Sequence, residues 1–153
     1  MTSALPPAST PASTPADDER EWSRSPGVYV HPGPETAFAA IERFARARDI
    51  RLARIDFHDC TDKTSVLERF ASSLEFPDWF GGNWDALEDC LNDLEWLGAS
   101  CHLLSLEQLE PMRRSAPGDF AVLLDILRTA VAQRRQTSDE LWVLVDARID
   151  EDA

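Results

Sequence analysis

The sequence predicts an α/β protein, a mainly parallel sheet with helices packed on it. Three observations carry this expectation. Short β-rich runs alternate with amphipathic helical patterns, which implies crossover connections between parallel strands. The last run, LWVLVDA (141–147), is apolar almost throughout, as in a strand covered on both faces. An apolar content of 43% over 153 residues is enough for one core of ordinary size.

Residues 1–25 read as a disordered tail. Met1 to Ala16 is mostly Ala, Ser, Thr and Pro, with PAST at 7–10 repeated at 11–14. Such a segment buries nothing, so ordering it would cost backbone entropy without return. One domain is expected over 26–148, followed by an acidic end at 149–153. GVYVH (27–31) predicts a short strand closed by PGP. ETAFAAIERFARARD (35–49) predicts a helix, with Phe38, Ile41, Phe44 and Ala45 at helical spacing. RLARIDF (51–57) predicts a strand, and DKTSVLERFASSL (62–74) a helix with Val66, Leu67, Phe70 and Leu74 on one stripe, capped by Asp59 or Thr61.

Pro77 stops that helix, Gly81-Gly82 makes a turn, and Asn83 is placed to cap a new helix from Trp84. Beyond it, SCHLLSL (100–106) predicts a strand and SLEQLEPMRR a short helix or turn broken by Pro111. FAVLLDILRTAVAQRRQ (120–136) predicts a helix capped by Asp119, with Arg134 and Arg135 suiting its negative end.

Net charge is −13, which repels nucleic acid and anionic membrane and suits a basic partner. Direct RNA or DNA binding is therefore not expected. The three cysteines form no CxxC pair and are odd in number, which points to a reducing, cytoplasmic setting. The N-terminus lacks the basic start and apolar run of a signal peptide, and no apolar stretch approaches the roughly 20 residues that span a bilayer.

The most informative segment is FPDWFGGNWDALEDCLNDLEWL (76–97), with six acidic residues and no Lys or Arg. At about 100° per residue, Asp85, Asp89 and Asp93 fall within about 80° of one another, with Glu88 beside them. Leu87, Cys90, Leu91, Leu94 and Leu97 occupy the opposite arc, so the helix has one acidic and one apolar face. The helix dipole favours Asp85 in the first turn. Asp89 and Asp93 gain nothing from it, and each like-charge i,i+4 pair costs roughly 0.2–0.5 kcal/mol. Between Arg69 and Arg113 lie nine Asp or Glu, whereas a solvated helix usually intersperses both signs. Trp79 and Phe80 sit in the turn that leads into this face. A carboxylate row beside an aromatic residue resembles a binding hot spot, although at least one of the two aromatics is expected to pack inward.

LEFPDWFGGNWDALEDCL (74–91) closely resembles the signature of the barstar family, intracellular inhibitors of barnase-type ribonucleases. The matching positions are Phe76, Pro77, Asp78, Trp79, Phe80, Gly81, Asn83, Trp84, Asp85, Ala86, Leu87, Asp89, Cys90 and Leu91. The resemblance implies a barstar-like small parallel sheet flanked by helices over about 50–147, with residues 27–49 as an added N-terminal βα unit. It implies that Asp89 is the central inhibitory carboxylate and Asp85 its neighbour, that Trp79 replaces an interface tyrosine, and that Gly81 and Asn83 lie in the binding loop. Trp84, Glu88, Asp93 and Thr129 complete the expected partner-binding surface. The chain departs from the family at three places: Glu88 and Leu94 replace interface tryptophans, and Thr129 aligns with a contacting glutamate. The implied partner is a basic, barnase-like ribonuclease or a related toxin, bound by a chain that is monomeric when free.

The residues admit three other readings. Asp85 and Asp89 could form an acid/base pair, but no nucleophile or second element joins them, so no catalytic residue is expected. The acidic row lacks the wrapped ligand pattern of a calcium loop, and His58 with Cys60 lacks two further zinc ligands, so no metal and no cofactor is expected. An immunity or regulatory protein for a different basic partner remains the alternative.

Overall fold

Four strands in the order β1-β4-β3-β2, all parallel, form the frame of the molecule. The computed structural model describes residues 25–31 and 35–149. The tail expected over 1–25 lies outside them except for Ser25, as does the acidic end beyond 149. The elements are β1 (Val28–Val30), α1 (Glu35–Ala47), β2 (Arg51–Asp56), α2 (Lys63–Ser73), α3 (Trp84–Asp93), β3 (His102–Glu107), α4 (Glu110–Ser115), α5 (Pro117–Arg134) and β4 (Leu141–Val145).

Successive strand residues point to opposite faces, and here both faces are covered. Ile55, Leu104, Leu106, Leu141, Val143 and Val145 pack with Val66, Phe70, Leu87, Leu91 and Leu127 from the helices of the main core. On the other face, Phe38, Ile41 and Ala45 of α1 pack with Leu103, Trp142 and Leu144. All five residues of β4 are buried, as its uninterrupted apolar run predicts. Burying each such side chain contributes roughly 1.5–3 kcal/mol. Arg54 lies on the α1 side of β2, where its guanidinium stands 3.8 Å from the centroid of the Phe38 ring and pairs with Glu107 at 2.7 Å.

Four local expectations are corrected. Asp62, not Asp59 or Thr61, caps α2: it accepts the Ser65 N–H at 2.9 Å in a reciprocal box with the Ser65 side chain. Asp59 is engaged by Arg69 instead, at 2.7 Å. Pro111 does not break a helix but sits in the first turn of α4, where its missing N–H costs nothing. For the same reason Pro117 opens α5, which leaves Asp119 inside the first turn rather than at the cap. Finally, α3 ends at Asp93: Leu94 adopts a left-handed conformation (φ 52°), and a single 3-10 turn follows over Glu95–Leu97.

His102, at the start of β3, is buried and accepts a bond at Nδ1 from Arg134 at 3.1 Å. Burial, and then the adjacent cation, push its pKa down to about 4. The unfolded chain takes up this proton near pH 6.5 and the folded chain only near 4. The stability held above pH 6.5 is therefore lost as pH falls towards 4, by about 3 kcal/mol in all. Burial also lowers the pKa of His31, with the same sign. Urea unfolding at pH 7, 5.5 and 4.5 checks this, and His102→Gln is expected to flatten the slope.

Candidate functional site: an exposed acidic helix

The loop that carries α3 is held in place by aromatic packing. Phe80 is half-buried with its ring 4.8 Å from that of Phe76, and Phe76 meets Trp96 edge-on at 6.1 Å. The Trp96 indole N–H donates to the Leu74 carbonyl at 2.9 Å. Trp79 stands on this base, 6.4 Å from Trp96 in a T-shaped arrangement, and remains 57% exposed. Of the two aromatics in the turn, Phe80 packs inward and Trp79 faces outward.

Gly82 then takes a positive φ of 73°, which an L side chain would strain. Asn83 is extended, and its side-chain oxygen accepts the Ala86 N–H at 2.8 Å, so it caps α3 as the sequence predicts. A side chain at Gly81 would come within 3.4 Å of the capping Asn83 amide. Trp84, the first residue of α3, is half-buried, with the Lys63 ammonium 5.8 Å from its ring centroid.

The apolar face of α3 is fixed in the core: Leu87, Cys90 and Leu91, with Leu94 just beyond, are fully buried. Burial, and secondarily Asp89 and Asp93, push the Cys90 thiol up to about 11, so it behaves as a small hydrophobe rather than a nucleophile. The other face presents Asp85, Asp89 and Asp93 to solvent with Glu88 half-buried beside them. Asp85, Glu88 and Asp89 form no ion pair among the described residues.

α3 is clamped to α5 at its C-terminal end. Asn92 donates to the Gln133 side chain, and the Arg134 guanidinium donates to the Leu91 carbonyl at 2.9 Å. Thr129, one turn before Gln133 on α5, is half-buried. The structure carries Trp79, Gly81, Asn83, Trp84, Asp85, Glu88, Asp89 and Asp93 on one loop and helix, and Thr129 on α5, the helix that meets the end of α3. Leu94, at the second position where the family carries tryptophan, is fully buried and contributes nothing to this surface.

Two residues of this site escaped the sequence reading. Trp96, the support of Trp79, lies 17 residues away and carries no local signal. Arg134, expected only to suit the negative end of its helix, is 3% exposed. Its signal was present, since it continues the buried stripe of Leu127, Ala130 and Val131 at helical spacing.

Among the described residues, no three His, Cys, Asp or Glu side chains are grouped to hold a metal ion, and no helix is long and apolar enough to cross a membrane. A search of curated proteins finds no match to the chain. The sequence model of the barstar (barnase inhibitor) family matches residues 50–146. The match begins just before β2, so β1 and α1 precede it as an added βα unit that covers the second face of the sheet. With a match over more than half its length, on an α/β fold with a four-stranded parallel sheet, the chain belongs to the barstar family.

Proposed function

We propose that the chain inhibits a barnase-type ribonuclease by seating the acidic face of α3 in its RNA-binding cleft. The observation that carries this is the pairing of two exposed carboxylates, Asp85 and Asp89, with a rigid mount. Asp85 and Asp89 are exposed and have no ion-pair partner among the described residues, yet their helix is locked by Leu87, Cys90 and Leu91. A cleft that binds RNA holds phosphates with cationic side chains and N–H donors. Carboxylates at the same places form charge-assisted hydrogen bonds without any change in the inhibitor.

In this reading Asp89 is the central contact and Asp85 its neighbour. Trp79, braced by Trp96, covers the rim where a base would stack. Gly81 and Asn83 shape the loop that approaches the enzyme, Trp84 supports it, and Glu88, Asp93 and Thr129 form the rim that sets partner choice. Glu88 adds a charge where the family carries tryptophan. That favours a ribonuclease or related toxin with an extra cation at this edge, and it distinguishes this chain's partner from that of a tryptophan-bearing relative.

The test is a fluorogenic RNA cleavage assay in which a barnase-type ribonuclease is titrated with the full chain. Activity is expected to fall linearly to zero at one inhibitor per enzyme. Full activity at a large excess would sink the proposal.

A further inference from the structure

Among the described residues, one helix, α1, covers the second face of the sheet. A helix with its side chains is roughly 10–12 Å wide, while four strands span about 14 Å between their outer axes, so α1 leaves a flank on each side. Phe44 marks the flank that faces β4, because its ring meets Trp142 edge-on at 5.6 Å. Arg48 lies on this flank with its guanidinium 4.8 Å from the centroid of the Phe44 ring, and Arg43 stands next to Phe44 on the outer surface. Both arginines are exposed, and neither forms an ion pair among the described residues. The acids of this stretch, Glu42 and Asp49, are on the other flank, where they line a hollow with Leu52 of β2. Glu140, two residues ahead of Trp142, is the carboxylate that strand alternation turns towards the Phe44 flank.

The chain that precedes the described residues is delivered to this same flank. Tyr29 packs with the α1 cluster, and its hydroxyl donates to the Ser25 carbonyl at 2.8 Å. Its ring lies so close over Gly27 that a side chain there would come within 2.9 Å of it. Ser25 is therefore held on the α1 side of the sheet. The register Val28↔Val143, Val143↔Leu104 and Leu104↔Ala53 sets Ser25 level with Ile50, which follows the end of α1, across about 14 Å of sheet. Trp22 lies three residues before Ser25, a reach of roughly 10 Å, and Asp17, Asp18, Glu19 and Glu21 lie within roughly 26 Å of it. With Arg20 and Arg24 included, residues 17–24 carry a net charge of −2, from four acids and two arginines.

We propose that residues 17–22 form a strap along this flank of α1, with Trp22 against Phe44 and the carboxylates of 17–21 on Arg43 and Arg48. Each side supplies what the other lacks: the flank offers a half-buried ring and two guanidiniums, the segment an indole and a run of acids. A planar guanidinium takes a carboxylate through two parallel bonds, which gives direction as well as attraction. Proximity favours this occupant over any free acidic ligand, because so short a tether holds the segment near its site at an effective concentration in the millimolar range. The strap extends the cover of the second face beyond α1. It also fixes where the Ala/Ser/Thr/Pro run of 1–16 leaves the domain, on the face away from α3, whose Leu87 and Leu91 pack on the first. The expectation of disorder over 1–25 then applies to 1–16 alone.

Tryptic cleavage after Arg20 and Arg24 in the full chain, followed by mass spectrometry at low salt, reads the strap directly. A synthetic peptide of residues 14–28 supplies the rate for an undocked segment. Cleavage in the chain is expected to be about ten-fold slower than in the peptide, because it waits for the strap to open. Arg43→Gln with Arg48→Gln should return most of the peptide's rate, and so should Asp17→Asn with Asp18→Asn and Glu19→Gln. All five together should do no more than either set, since both remove the same contact. The urea midpoint of each variant separates release of the strap from unfolding of the domain. Any one of three results would overturn the proposal: cleavage of the unsubstituted chain at the peptide's rate, indifference to either set of substitutions, or protection that grows with protein concentration, which would place the segment on a second copy. None of these variants touches the acidic face, so the ribonuclease assay stands or falls separately.

Discussion

Replacing Asp89 with alanine is expected to raise the inhibition constant against a barnase-type ribonuclease by about 30-fold to several-thousand-fold. Losing one member of a hydrogen-bonded charge pair inside an interface costs roughly 2–5 kcal/mol, a range to which the barnase–barstar complex itself contributes. Most of the change should appear as faster dissociation, because the cation left behind on the enzyme is buried without a partner. The free protein should respond in the opposite sense. Asp89 is exposed and lies one turn from both Asp85 and Asp93. Its removal relieves two like-charge pairs at roughly 0.2–0.5 kcal/mol each and installs a better helix former. A higher urea midpoint with a weaker complex is the signature of a residue kept for binding at some expense to stability. Glu68→Ala, on the exposed face of α2, is the comparison. Equal small effects of the two substitutions would remove Asp89 from the site.

Arg134→Ala is expected to cause the largest loss of stability, roughly 3–5 kcal/mol. The side chain is almost fully enclosed and spends its donors on four acceptors. Nε donates to Asp139 O at 2.7 Å, Nη1 to Leu91 O at 2.9 Å, and Nη2 to Ser100 O at 2.8 Å and to His102 Nδ1. Alanine would leave the Leu91 carbonyl and His102 Nδ1 buried without donors and open a cavity between α3, β3 and the loop after α5. The cation also sits at the negative end of α3, where the helix dipole favours it. Arg134→Lys should recover little, because an ammonium cannot spread a planar fork across three separated carbonyls. The urea midpoint reads the loss directly. A midpoint within experimental scatter of the unsubstituted protein would show that water replaces the guanidinium at no net cost.

The parts of the fold that depend on local patterning were legible in the sequence. The apolar run of β4 announced burial on both faces, and the α3 residues announced their two faces and their Asn83 cap. The parts that depend on long-range competition were not. Asp59 or Thr61 was expected to cap α2, but Asp62 does so, and Asp59 is taken by Arg69, a residue inside the helix. The end of α3 carried no glycine. Leu94 stays on the buried arc whether the helix continues or stops, so periodicity could not show its left-handed turn. Within the candidate site, the charged row and Trp79 were visible because a run of one charge sign beside an exposed aromatic residue departs from the pattern of a solvated helix. Their supports, Trp96 and Arg134, were hidden because each acts through contacts made only by the folded chain.

The central claim is that Asp85 and Asp89 stand where RNA phosphates would. The most direct test is the ribonuclease titration repeated with a nucleoside 3′-monophosphate filling the phosphate site of the enzyme. The account predicts that the apparent affinity for the inhibitor falls in proportion to the occupancy of that site. An affinity unchanged at saturating nucleotide would contradict it and place the contact elsewhere on the enzyme.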